Sequence, residues 1–282
     1  MKAEDFIPTS VPYVSGRTRL FGIVGHPIEQ VRSPEFVTAE LSRRGHDAVL
    51  VPIHLPDDRF EELMPAIMAV GNLDGLVITI PYKARAARFA DTLGPQARLT
   101  RTVSVMAKIH TGWRGEMFDG IGCTAAILRR NVAIAGSRIG LYGAGGAGSA
   151  IALALASENP RSLTIHDPDS ARSKSLATQL GRAFPHLSLA AAVPNPDEID
   201  ILINASPVGM LDPAASVVTG ERLPSRLAVM DIVMSPDRTR LLQIAEESGC
   251  IAIYGREMLG SQIEAVTDYL TENQLRKSAL LA

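Results

Sequence analysis

Two spacings of apolar residues alternate along the chain. Short unbroken apolar runs read as buried strands, and longer stretches with apolar positions every three or four residues read as helices. Leu20-Phe21-Gly22-Ile23-Val24 is the first such strand. Ser33-Pro34-Glu35 opens a helix, with Ser33 as N-cap and Pro34 at the first helical position. That helix runs to Arg44 and ends at Gly45. Ala48 to Leu55 forms the next strand, and Asp57 or Asp58 caps a helix reaching about Val70. Gly75 to Ile80 is an apolar, β-branched strand stopped by Pro81. Thr102 to Met106 and Met117-Phe118 supply further strand material around a Thr111-Gly112 turn. Asp119 then begins a helix with Ile121, Ala125 and Leu128 on one face. In the second half, strands are expected at Arg138–Tyr142, Ser162–His166, Ile199–Asn204, Ala228–Val233 and Cys250–Tyr254. A last helix, Met258 to about Asn273, has no strand after it.

This alternation predicts an α/β protein of two domains with mostly parallel sheets covered by helices. The expected division is an N-terminal α/β substrate domain over 1–118 and a Rossmann domain over 119–257. The terminal helix, 258–282, packs back on the first domain. At 282 residues, 46% hydrophobic and 21% charged, the chain is large enough for both. A net charge of −2 gives no bulk electrostatic reason to expect a nucleic-acid or membrane-surface partner. Cys123 and Cys250 form no C-x-x-C pair and the six histidines show no ligand spacing, so no metal is expected. Met1–Thr18 is polar and carries no signal-peptide core, its first dozen residues read as a mobile tail, and no run reaches the ~18 apolar residues of a membrane span. The expectation is a cytoplasmic monomer or homodimer acting on a small molecule.

The segment that changes this picture is Arg138-Ile139-Gly140-Leu141-Tyr142-Gly143-Ala144-Gly145-Gly146-Ala147-Gly148. A strand runs into Gly-x-Gly-Gly-x-Gly, and a small-residue helix, Ser149 to Ser157, follows. Gly143 suits the tight turn, Gly145 admits a pyrophosphate to the backbone, and Gly148 lets helix and strand approach. The free N–H groups and dipole of that helix favour phosphate. Asp167 stands at the end of the second strand, where a carboxylate binds a free ribose 2′-hydroxyl and repels a 2′-phosphate. These residues predict NAD in preference to NADP. In Asp167-Pro168-Asp169-Ser170 the same acid is also suited to start a turn or cap the next helix.

Ligands of such two-domain proteins lie at strand carboxyl ends. That directs attention to the Gly25–Pro34 loop, to Thr79-Ile80-Pro81-Tyr82-Lys83, and to Asp119. With these, the chain resembles the shikimate/quinate dehydrogenase family from about Leu20 to Glu272. Gly25-His26-Pro27-Ile28 with Ser33-Pro34 is similar to the family's substrate loop, and Thr79 to Lys83 to its Thr-x-Pro-x-Lys motif. Asn204-Ala205-Ser206-Pro207-Val208-Gly209-Met210 and Gly255 through Met258-Leu259 to Gln262 are similar to two further motifs. The resemblance implies Lys83 and Asp119 as the catalytic pair, exchanging the proton that accompanies hydride transfer. It implies Ser33, Thr79, Ser104 and Gln262 as substrate contacts. Asn204, Ala205, Ser206, Val208, Met234, Gly255 and Met258 would join Gly143, Ala144, Gly145, Gly146, Ala147 and Asp167 around the cofactor. Taken alone, Lys83 also suits a solvated helix start and Asp119 an N-cap.

The chain departs from the family where substrate is held. The first of two loop serines is Val31, with Arg32 beside it; an expected asparagine is Ser104; an Asn-Thr pair is Met117-Phe118; an aromatic is Met234. Each lost buried hydrogen bond costs on the order of 1–3 kcal/mol. The expectation is a divergent paralogue that prefers a less polar or differently substituted cyclic hydroxy acid. An NAD-binding sensor without turnover is the alternative, and a related two-domain enzyme of folate metabolism fits the motifs less well. Where NADP-using members carry Asn-Arg-Thr, this chain has Asp167-Pro168-Asp169.

Overall fold

The computed structural model describes residues 14–281. The expected N-terminal tail falls mostly on residues 1–13, outside that range. The chain divides into two compact units, Met1–Phe118 with Ile263–Ala282, and Asp119–Gln262. Each is α/β, as the alternation of patterns predicts.

The first unit is built on β1 (Arg19–Gly25), whose last five residues are buried. α1 (Ser33–Arg43) follows, then β2 (Ala48–His54), α2 (Phe60–Met68), β3 (Leu73–Ile78) and α3 (Lys83–Ala86). β4 (Thr92–Leu93), α4 (Pro95–Thr100), β5 (Val105–Ile109) and β6 (Gly112–Glu116) complete it. The sheet order is β2-β1-β3-β5-β6-β4. β1 pairs in parallel with β2 and β3, whereas β5 runs antiparallel to both β3 and β6. A strand flanked on both sides and covered on both faces must be apolar throughout. Phe21, Ile23 and Val24 of β1 meet that demand.

Three local expectations are corrected here. Ser33 is the first helical residue of α1, not its cap. The turn closes one residue earlier, with the Glu35 N–H donating to the Arg32 carbonyl at 3.2 Å, so Arg32 takes the N-cap position. Asp57 and Asp58 lie in a 3₁₀ turn ahead of α2 and do not cap it; the Asp57 carboxylate accepts from Arg85 instead. β3 ends at Ile78, because the Tyr82 N–H donates to the Thr79 carbonyl and turns the chain, with Ile80–Pro81 cis.

The second unit opens with α5 (Asp119–Arg129) and β7 (Arg138–Tyr142), then α6 (Gly146–Ser157), β8 (Ser162–His166), α7 (Ser170–Ala183) and β9 (Ser188–Ala191). β10 (Ile201–Asn204), β11 (Ala228–Asp231), α8 (Arg240–Glu247), β12 (Ile251–Tyr254) and α9 (Gly255–Leu281) follow. Its sheet is wholly parallel, in the order β12-β11-β10-β7-β8-β9. Strand order therefore reverses between β7 and β10, the switch point at which doubly wound sheets bind ligands. Ile139, Leu141, Ile201 and Ile203 fill one side of that junction. No described helix is long and apolar enough to cross a membrane.

β7 and β10 are joined at their amino ends by Arg138 and Asp200. The Asp200 carboxylate accepts from the Arg138 backbone at 2.9 Å and from its guanidinium at 3.0 and 2.7 Å. The guanidinium holds that carboxyl down at about 2, against an ordinary 3.8. A depressed carboxyl stabilises the fold above its unfolded pKa, and the contribution is lost as pH falls through the folded value. Both side chains are more than a third exposed (37% and 39%), so solvent screening limits the pair to about 1 kcal/mol. Asp200→Asn is expected to lower Tm at pH 7 by about 2–4 °C. The deficit should narrow between pH 4 and pH 2 in melts followed by circular dichroism.

Candidate active site

The second unit gathers its candidate residues at strand carboxyl ends. Gly143 follows β7 at φ +102°, a conformation L side chains rarely adopt. A Cβ there would also lie 2.7 Å from the Ala205 carbonyl oxygen, across the switch point. A Cβ on Gly148 would run into the Gly143 carbonyl, which explains why the first turn of α6 carries glycine. α6 begins at Gly146, three residues ahead of the expected Ser149, with Gly145 as N-cap and no side-chain cap. A Cβ on Gly145 would meet nothing within 4 Å. An uncapped helix start beside open space is the arrangement that receives phosphate, so the residues present fit a dinucleotide.

Asp167 follows β8 and faces this turn. One carboxylate oxygen accepts from the Ala144 N–H at 2.8 Å and the other from the Asp169 N–H at 2.9 Å. Capping of α7 falls to Asp169, which accepts from the Ala171 N–H, while Arg172 pairs with Asp169 at 3.3 Å. Asp167 is therefore tied to the glycine turn and does not cap the helix.

The Asn204 segment is organised from below by a buried carboxylate. Asp231 is fully enclosed, and burial pushes its carboxyl up; bonds from Thr239, Val233 and Asn204 pull it back. Thr239 donates at 2.7 Å, the Asn204 amide at 3.0 Å and the Val233 N–H at 3.1 Å. Asn204 then accepts from the Ser206 N–H (3.0 Å) and hydroxyl (2.6 Å), and its amide donates to the Val208 carbonyl (3.1 Å). Ala205 and Ser206 are thereby fixed beside Gly143. Met234 follows β11 after Val233. Gly255, after β12, sits where a Cβ would meet the Val233 carbonyl at 2.5 Å.

Asp119 is the first residue of α5 and only 4% exposed. One turn on, burial and the Asp119 charge both push the Cys123 thiol up. Gly122 leaves room for Met258 and Gln262: a Cβ there would lie 2.9 Å from the Met258 carbonyl and 3.1 Å from Gln262 Oε1. Gln262 Oε1 is buried and has no hydrogen-bond partner among the described residues.

In the first unit, the antiparallel turn of β5 returns the chain to the carboxyl end of β3. The Ile78 N–H donates to the Ser104 carbonyl at 2.8 Å, and the Val103 N–H to the Lys83 carbonyl at 3.0 Å. The His26 N–H donates to the Ile80 carbonyl at 2.9 Å, so the loop after β1 meets the same edge. Thr79, Lys83 and Ser104 are thus neighbours at one end of the sheet. The Ser104 hydroxyl accepts from the Phe118 N–H at 2.8 Å and keeps its own proton to donate. Ser33 starts α1 beyond the loop. Arg32 is occupied: it pairs with Glu35 at 2.8 Å and lies 5.3 Å over the Phe36 ring. Met117 and Phe118 are buried, and Phe118 packs edge-on against Tyr269 at 5.3 Å.

Sequence reasoning missed Asp231 and Thr239. A threonine two residues ahead of the apolar pair Leu241-Leu242 is the start signal that would have found α8 and its cap.

Residues 23–106 match the model of the shikimate dehydrogenase substrate-binding domain. The NADP-dependent shikimate dehydrogenase of Methanobrevibacter smithii is 33% identical over 253 residues, covering 87% of this chain and 89% of that one. The chain belongs to the shikimate dehydrogenase family. Among solved structures, 5-ketofructose reductase of Gluconobacter superposes with TM-score 0.76 at 26% identity, covering 91% of this chain and 94% of that one. Quinate dehydrogenase of Corynebacterium glutamicum in complex with NAD superposes with TM-score 0.78 at 25% identity, covering 94% and 99%. As a family member the protein is an oxidoreductase of two α/β units.

The two glycines of the phosphate turn should respond differently to a methyl group. Gly148→Ala is expected to destabilise by about 1–3 kcal/mol, since the Gly143 carbonyl must move. Gly145→Ala has space and should melt close to the parent. Differential scanning calorimetry of both variants checks this.

Proposed function

We propose that this protein is an NAD-dependent oxidoreductase that interconverts a ring hydroxyl and a ketone on a shikimate- or quinate-like cyclic hydroxy acid. The single observation that carries the cofactor choice is Asp167, a carboxylate at the carboxyl end of β8 bonded to the glycine turn. A negative charge there favours a free 2′-hydroxyl and opposes a 2′-phosphate. The nearby Arg172 is paired with Asp169. The second unit is assigned to the cofactor and the first to substrate. The glycine turn, with Ala144, Gly146 and Ala147 beside it, holds phosphate, and Asn204, Ala205, Ser206, Val208, Met234, Gly255 and Met258 border the nicotinamide side.

When bound, the nicotinamide supplies or accepts the hydride. The chain supplies the rest. Lys83 and Asp119 form the acid–base pair: the lysine amine takes the hydroxyl proton in oxidation and returns it to the carbonyl oxygen in reduction. Asp119, the second member assigned to the pair, accepts from a substrate hydroxyl. Thr79 and Ser104 offer hydroxyl donors at the edge where Lys83 stands, and Ser33 offers another at the start of α1. Gln262 Oε1, buried and without a partner among the described residues, suits a substrate hydroxyl that donates to it. Val31 and the paired Arg32 weaken the grip on a carboxylate at the first loop, so the preferred ring differs from shikimate.

The test is a titration with NAD and NADP, then turnover on shikimate, quinate, simpler cyclic hydroxy acids and 5-ketofructose. NAD is expected to bind at least about tenfold more tightly than NADP, the factor that 1.4 kcal/mol corresponds to. Asp167→Asn should close that gap. Lys83→Ala should lose about 10²–10⁴ in kcat with NAD affinity intact. Tighter binding of NADP overturns the cofactor assignment. NAD binding with no turnover on any probe favours the sensor reading.

A further inference from the structure

Lys83 stands on a helix too short to hold itself. α3 is one turn of four residues, continued only by a 3₁₀ turn over Ala87–Phe89, with no side-chain cap at the start of either. Turns this short gain few hydrogen bonds for the residues they order. Its geometry is set from outside, by the residues on either side of the lysine. Tyr82 is fully buried, stacks on Phe60 with centroids 4.1 Å apart and planes 14° from parallel, and donates its hydroxyl to the Leu55 carbonyl at 2.6 Å. Arg85 covers both rings, its guanidinium carbon 4.8 Å from the Phe60 centroid and 5.3 Å from that of Tyr82.

The same guanidinium is held by two acids of the segment ahead of and within α2. It donates to the Asp57 carboxylate at 2.5 Å and to the Asp57 carbonyl at 3.0 Å. Nε donates to the Glu61 carboxylate at 2.7 Å, and a terminal nitrogen donates to the other Glu61 oxygen. A planar fork bonded in its plane and stacked on its face has little freedom left. Asp57 and Glu61 are 60% and 48% exposed, so each ion pair alone adds little stability. What the arrangement supplies is direction.

We propose that Arg85 is the positioning residue for Lys83, locking the far end of the turn so that the ε-amine is presented in one place. The proposal rests on the assignment of Lys83 as the acid–base group. A shift of about 1 Å at a reacting group can cost on the order of 10² in rate. The signature is therefore a large loss in kcat with little change in stability.

The test uses the full chain as wild type, Arg85→Met, Arg85→Lys, Lys83→Ala, and the double variant Asp57→Asn/Glu61→Gln, which keeps the arginine and removes its anchors. Two readouts are taken. One is turnover with NAD on whichever of shikimate and quinate the wild type uses. The other is the rate of Lys83 acetylation by acetic anhydride, read by peptide mass spectrometry. Arg85→Met and the double variant are expected to lose about 30–100-fold in kcat with KM within about threefold. Their Lys83 acetylation rate should depart from wild type while the rates of the other lysines hold. Arg85→Lys should likewise keep Tm near wild type without recovering kcat, because an ammonium lacks the fork. Wild-type kcat and acetylation in Arg85→Met and the double variant, with Lys83→Ala inactive, overturn the proposal and leave the catalytic assignment standing. Turnover retained in Lys83→Ala, or absent in the wild type, removes the catalytic assignment, and acetylation alone then decides whether Arg85 positions the amine. If Arg85→Met does not fold, the double variant carries the same decision.

Discussion

A carboxylate shut off from water is the constraint on which the second unit's ligand edge depends. Burying an ionised carboxylate without partners costs several kcal/mol. Asp231 avoids that cost because three donors converge on it, from a side-chain amide, a hydroxyl and a backbone N–H. Each donor belongs to a different piece of chain. Asn204 ends β10, Thr239 caps α8 and Val233 leads to Met234. Their positions relative to one another are set by the need to satisfy one buried charge. Asn204 passes the constraint on to Ser206 and Val208, and the Ala205 carbonyl closes on Gly143. Removing any one donor leaves the carboxylate short, so the edge is specified as a whole rather than residue by residue.

The first unit solves a related problem by topology. Parallel strands deliver only their carboxyl ends to one edge of a sheet. The antiparallel β5 brings its amino end to the carboxyl end of β3, which places Ser104 next to Ile78 and Lys83 next to Val103. A hydroxyl from before a strand and an amine from after one are neighbours for this reason.

Much of this was legible in the sequence, for physical reasons that can be named. β1, β7 and β10 are buried on both faces and show as apolar runs, and the glycine turn is marked by conformational needs few residues meet. β9 was not legible, because it is an exposed edge strand with Leu189 as its one large apolar residue. The caps of α1 and α2 were misread because a serine or aspartate near a helix start signals a cap only when the backbone leaves it outside the first turn. At α1 the turn closes on Arg32; at α2 a 3₁₀ turn intervenes and Arg85 takes the Asp57 carboxylate. Asp231 was invisible because nothing local distinguishes an aspartate at a strand end from one that is enclosed. Only the arrival of Asn204 and Thr239, 27 and 8 residues away, defines it.

The departures from the family's pattern also change meaning once packing is considered. Met117 and Phe118 look in sequence like polar groups stripped from a pocket. In the fold both are core residues, and Phe118 packs against Tyr269 while its N–H bonds to Ser104. An Asn-Thr pair exchanged for two apolar side chains here gains buried apolar surface, worth about 1.5–3 kcal/mol for each large side chain. Ser104 in place of asparagine belongs to the same exchange, since a short hydroxyl reaches the Phe118 backbone. Val31 is different. It lies in the loop after β1, beside an arginine already committed to Glu35 and Phe36. No packing gain of that kind accounts for it. Under the proposed function, the substitution that bears most directly on substrate is therefore the loop valine, whereas the apolar pair before Asp119 is part of the core.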